Sequence, residues 1–240
     1  MRRPTPILRL LLAAAGLLAM IATSGRAASP YGTTEILGFT VHWLPTCFAG
    51  ADEDEVGDFQ AKLRAQIEQM NHTLPSDKLA RLRRIPIYVH AGEHRAYGCC
   101  HHPSRDWLVQ HGYPGEMANS VEVCNWREFR TLVLTQPACL LHEFAHAWEF
   151  NASGLTPQIA AAYQHAVKAG LYQSVAYVGE PSPRPAYALE NEKEYFAELS
   201  EAYFARNDFF PFDRADLQHY DPVGYAMIER VWLRPYGIVR

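Results

Sequence analysis

His142, Glu143 and His146 stand as His-Glu-x-x-His within the segment from Ala138 to Trp148. Four residues advance an α-helix by about 400°, so the two histidines lie one turn apart on one face and both imidazoles can reach a single zinc ion. Glu143 then sits beside the ion, where its carboxylate can take a proton from a water whose pKa the metal lowers from roughly 15.7 towards about 7. The flanking residues Leu140, Leu141, Phe144, Ala145, Ala147 and Trp148 are apolar. That is the composition of a buried helix whose only polar edge is a metal site, whereas a helix with two solvated histidines carries more charge.

A catalytic zinc keeps three protein ligands and one position for water, so a third ligand is sought on a separate element. Glu190, Glu194 and Glu198 fall at four-residue spacing. On one helical face such like charges repel by about a few tenths of a kcal/mol each unless a cation or hydrogen-bond donors offset them. Tyr195, Phe196, Ala197 and Leu199 make the rest of that helix apolar, and carboxylates in a core helix need compensation. Glu194 is the leading candidate, although spacing alone admits Glu198 as well.

The run Asn191-Glu192-Lys193-Glu194-Tyr195-Phe196-Ala197-Glu198, with Tyr187 before it, resembles the catalytic domain of anthrax lethal factor and the related bacterial Pro-Pro endopeptidases, zinc metallopeptidases of gluzincin type. The resemblance covers about 137–150 and 188–206 and the turn carrying Tyr187, and upstream of Pro137 the match is generic. It implies a zincin-like domain in which His142, His146 and Glu194 hold Zn²⁺ and Glu143 is the base. It also implies that the Tyr187 hydroxyl faces the substrate and stabilises the oxyanion, while Glu198 orients a ligand histidine from behind.

Arg2, Arg3 and Arg9 precede the apolar run Leu10 to Ala22 and the small residues around Ser24 to Ala28, the order of a secretory signal peptide over 1–27. The run is shorter than the roughly 20 residues that a bilayer crossing requires. The expectation is therefore a secreted protein, extracellular or periplasmic, with no stable membrane insertion after cleavage. Residues 28–240 suffice for one domain with a continuous core and are too few for two sizeable ones. Losing Arg2, Arg3, Arg9 and Arg26 takes the formal charge from −4 to −8, which argues against nucleic acid as a partner and favours a neutral or basic peptide or protein substrate.

Five cysteines, Cys47, Cys99, Cys100, Cys124 and Cys139, leave at least one unpaired if the rest form bridges. Pairing is open: Cys47 with Cys99 or Cys100, or Cys124 with Cys139. Cys99-Cys100-His101-His102 lacks the spacer that lets neighbouring thiolates converge on zinc.

The elements that must position this chemistry follow from periodicity. Residues 36–43 predict a first strand and Asp52 to Leu74 an amphipathic helix whose stripe packs on a sheet. Ile85 to His90 predicts a strand that Pro86 begins or puts at an edge, with His42 and His90 ordinary strand residues. Gly92 to Asn119 predicts a long irregular loop. Ser120 to Asn125 predicts a strand ahead of the active helix, either at the sheet edge, where an extended peptide could pair with it, or paired on both sides. Helices follow at Trp126 to Thr135, from Pro137, at Pro157 to Gly170, at 188–206 and at Pro222 to Leu233. A turn spans Gly179 to Pro185, and Asp208 to Asp221 is loop-like. The whole is an α+β fold with a small mixed sheet, an active-site helix and a helical C-terminal half. Two other functions stay open: a zinc hydrolase of a non-peptide amide, and a non-catalytic secreted binding or toxin-like module.

Overall fold

Leu37 and Gly38 both take positive φ, 52° and 91°, the twist that a two-residue hairpin turn requires. They place a turn inside the strand expected over 36–43, so that strand is β2 (Phe39–Trp43), paired antiparallel with β1 (Gly32–Ile36), which lies almost wholly before the expected span. The computed structural model describes residues 29–94, 97–152 and 154–234, so the signal peptide expected at 1–27 lies outside the described residues. Among the described residues no helix is long and apolar enough to cross a membrane.

Asp52 caps α1 (Glu53–Thr73) by accepting from the Asp54 N–H at 2.8 Å, and the acids Glu53, Asp54 and Glu55 suit the positive end of the helix dipole. Its stripe Phe59, Leu63, Ile67 and Met70 is buried. After α2 (Ser76–Leu82), the strands β3 (Ile87–Val89), β4 (Cys99–His102) and β5 (Ser120–Val123) complete a five-stranded mixed sheet in the order β1-β2-β3-β5-β4. Strand β3 runs parallel to β2 and β5, whereas β4 runs antiparallel to β5. Pro86 lies just outside β3, so its missing N–H takes nothing from this central strand.

One expectation is corrected here and one open choice is decided. Strand β4, at one edge of the sheet, is drawn from the stretch read as an irregular loop, and β5 follows the second of its two readings, paired on both sides. The same stretch holds α3 (Arg105–Gln110), capped by the Ser104 hydroxyl, and a 3₁₀ turn at Gly115–Met117.

Alternation gives the sheet two distinct faces. Val41, Ile87, Val89, Val121 and Val123 belong to the main core with α1 and α4 (Trp126–Leu132). Tyr88 faces the other way into a small second cluster with Tyr31, Leu108 and Met117.

The C-terminal half is helical: α5 (Cys139–Asn151), α6 (Thr156–Lys168), α7 (Glu192–Phe204), α8 (Arg214–Tyr220) and α9 (Pro222–Leu233). A hairpin of β6 (Val175–Tyr177) and β7 (Glu180–Arg184) replaces the turn expected at Gly179 to Pro185, and α8 lies in the stretch expected to be loop. Helix α5 packs on both α7 and the edge strand β4. Every residue of α7 from Tyr195 to Phe204 is buried, which makes it the central helix of the domain.

Candidate metal centre

The histidines of α5 meet the first turn of α7. Asn191 caps that helix, its side-chain oxygen accepting from the N–H groups of Lys193 at 2.9 Å and Glu194 at 3.1 Å. This puts the Glu194 carboxylate at the end of the helix where the dipole favours negative charge. Its Oε2 lies 2.9 Å from His142 Nε2 and 3.1 Å from His146 Nε2. The three ligand atoms form a group able to hold one cation.

The donor set, two imidazole nitrogens and one carboxylate oxygen, is what a catalytic zinc takes. Burial raises the Glu194 carboxyl, but hydrogen bonds from His142 and His146 more than offset it and hold the group well below the usual carboxylate range. Burial likewise lowers His142, while hydrogen bonds to Glu194 and Glu201 on its two ring nitrogens outweigh that and keep its proton well above the ordinary range. An ion among the three would take the place of that proton.

Glu201, which the sequence did not single out, accepts from the His142 ring: its Oε1 lies 2.7 Å from Nδ1. Glu198, expected in that role, has its nearest oxygen 3.9 Å away and instead accepts from the Asn207 amide at 3.2 Å. Burial, then the charges of Glu201 and Asp208, push the Glu198 carboxyl well above its usual range, and burial with Glu201 carries Asp208 up to about 7. Glu198 is therefore packed behind the site with its ionisation disfavoured. His142, Glu198 and Glu201 form a second possible cation group, but it uses the ring nitrogen that Glu201 already occupies. Replacing Glu201 by Gln is expected to weaken zinc about 10- to 100-fold, as for other outer carboxylates on ligand histidines. Glu198→Gln, at a side chain whose nearest oxygen stands 3.9 Å from the His142 ring, is expected to leave the affinity nearly unchanged when both are measured by chelator competition.

Glu143 points towards the edge strand. The backbone N–H of His101 in β4 donates to its Oε2 at 2.7 Å. Burial raises the Glu143 carboxyl above its ordinary value, partly countered by His142 and His146, which moves it towards the range useful for a base near neutral pH. Tyr187 opens a 3₁₀ turn, Tyr187–Leu189, just before α7, and its ring stacks on His142 with centroids 6.2 Å apart. Burial and then Glu194 raise its phenol, so it remains a proton donor at neutral pH. His101, half-buried and lowered to about 4 chiefly by desolvation, lines the same cleft and is an uncharged imidazole.

Together these groups line a cleft of about 500 Å³ between β4, α5 and the start of α7. A second cavity of about 440 Å³ adjoins it through Tyr187, with Arg184 and Phe209 in its wall. Among the described residues no cysteine pair is bonded. The thiols that approach are Cys99 and Cys139 at 3.8 Å and Cys100 and Cys124 at 3.5 Å, not the pairings the sequence suggested, and Cys47 lies apart against the Val89 carbonyl.

No family model matches the chain, and comparison with curated proteins and with solved structures finds no match.

Proposed function

We propose that the chain is a secreted zinc metalloendopeptidase of gluzincin type on a zincin-like domain, cleaving peptide or protein substrates. The observation that carries this reading is the convergence of His142, His146 and Glu194, from two separate helices, on one point in a cleft that also holds Glu143 and Tyr187. When bound, zinc supplies Lewis acidity, which acidifies water and polarises a carbonyl.

The chain's own residues supply the remainder. Glu143 takes the proton of the attacking water and returns it to the leaving nitrogen. The His101 N–H holds one of its oxygens, which leaves the other to carry the proton. The neutral Tyr187 phenol donates a hydrogen bond to the oxygen on which charge develops. The outer side of β4 has no strand partner among the described residues, so an extended peptide can add there through main-chain hydrogen bonds whatever its side chains. Glu194 and the surrounding carboxylates favour neutral or basic segments.

Tyr187→Phe is expected to keep zinc and to lower kcat by about 10²-fold or more, the usual cost of an oxyanion donor. An unchanged rate would remove Tyr187 from the chemistry. The whole reading is tested by incubating the zinc-loaded protein, with and without a chelator, with a proteome-derived peptide library and mapping new termini by mass spectrometry. Cleavage that the chelator stops and added zinc restores is the expected result. An intact library, with zinc bound, would leave a binding module instead.

A further inference from the structure

The opposite face of the sheet gathers a second set of metal-binding side chains. His90 follows β3, His94 follows it in the connection to β4, and Glu122 lies on β5. One oxygen of Glu122, Oε1, is 2.6 Å from His90 Nδ1 and 3.4 Å from His94 Nδ1. The three ligand atoms all lie within 4.8 Å of one another. A tetrahedral zinc with bonds near 2 Å separates its ligands by about 3.3 Å, so small side-chain shifts would admit the ion.

Each of these groups is also held from behind. His90 Nε2 is 2.9 Å from the Tyr31 hydroxyl, the second Glu122 oxygen is 2.6 Å from His102 Nε2, and the His94 ring stacks on Tyr113 with centroids 4.0 Å apart. Outer contacts of this kind fix the tautomer and orientation of metal ligands. His90 and Glu122 have no exposed surface, and His94 is 16% exposed, which leaves one side open to solvent.

Hydrogen bonding accounts for part of the cluster without an ion. His90 and His102 each lie 2.6 Å from one oxygen of the buried Glu122 carboxylate, so both of its oxygens are satisfied. Two imidazoles suffice for that. His94, clamped by Tyr113 against an oxygen already bonded to His90, exceeds what the carboxylate needs and supplies what a cation needs. The segment that carries it, between β3 and β5, covers this face with few buried apolar side chains, chiefly Leu108 and Met117 against Tyr31 and Tyr88. A packed core that small holds a long segment weakly, and a metal tie compensates for it.

We infer that His90, His94 and Glu122 form a second zinc site, with three protein ligands and a fourth position left to solvent, which ties the segment bearing β4 to the back of the sheet. The site is independent of the catalytic reading, and the test separates the two. The metal-free full-length chain is titrated with Zn²⁺ against a chromophoric chelator, alongside Glu194→Ala and His94→Ala. The wild type is expected to bind two zinc ions and each variant one, with zinc still raising the thermal midpoint of Glu194→Ala. A wild type that binds one ion, lost in Glu194→Ala and kept in His94→Ala, overturns the inference. A single ion lost in His94→Ala and kept in Glu194→Ala supports it and overturns the catalytic site instead. Where His94→Ala fails to fold, Glu194→Ala decides alone: one zinc ion retained supports the second site, and none overturns it.

Discussion

Glu143→Gln is expected to lower peptide turnover by about 10²- to 10⁴-fold, the range for loss of a positioned acid–base group, while zinc content stays the same. The amide matches the carboxylate in shape and can still accept from the His101 N–H, now 2.7 Å from Glu143 Oε2, so the strand and helix keep their contact. What disappears is a group able to hold a proton between the attack on the carbonyl and the departure of the amine. Steady-state kinetics on a cleaved library peptide, with zinc measured in the same samples, provides the check. Undiminished turnover would show that some other group moves the proton; a parallel loss of zinc would point to damage at the ligands.

Glu194→Ala is expected to weaken zinc by more than about 100-fold, beyond the cost of losing an outer carboxylate, and to abolish cleavage with it. The carboxylate is the point on which both imidazoles converge, at 2.9 and 3.1 Å. Without it the two imidazole rings face each other with no carboxylate between them. A related expectation concerns protons. His142 keeps its proton well above the ordinary range because Glu194 and Glu201 outweigh its burial, so zinc must displace that proton at neutral pH. Calorimetry in buffers of different ionisation enthalpy should then report proton release on zinc binding, and affinity should fall as the pH is lowered. Zinc uptake without proton release would contradict the hydrogen-bonded site.

The parts of the molecule that were legible in the sequence are those whose pattern is local. Helix α1 shows its cap, its first-turn acids and its apolar stripe in one continuous stretch, and α9 begins at Pro222 as expected. Helical spacing alone suffices to put His142 and His146 on one face. Glu201 shares a face with Glu194 and Glu198, at the four- and three-residue steps of one helix. Spacing does not say which of the two later carboxylates reaches the His142 ring; the structure gives that place to Glu201, at 2.7 Å against 3.9 Å for Glu198.

The sheet was harder to read for a different reason. Leu37-Gly38 is not among the strong hairpin dipeptides, so the turn reads as strand and β1 before it has no signal of its own. Strand β4 is four residues long, Cys-Cys-His-His, with no alternation of apolar and polar types to mark it. Its pairing with β5 is decided by contacts distant in the chain. The His90–Glu122–His102 arrangement is invisible for the same reason, since its members come from three strands or strand ends that only the sheet order brings together.

Strand β4 divides its four side chains between two surfaces. Cys99 and His101 look towards the cleft, while Cys100 and His102 sit opposite Glu122 and Ser120 on the back of the sheet. Because the pleat has a period of two, deleting or inserting a single residue here would exchange the two sets and carry the N–H that serves Glu143 to the wrong side. The strand can therefore accept a change of residue type, or a change of length by two, far more readily than a change by one. Natural variants of this protein that differ in length between Gly92 and Asn119 should carry the difference before Cys99 or after His102.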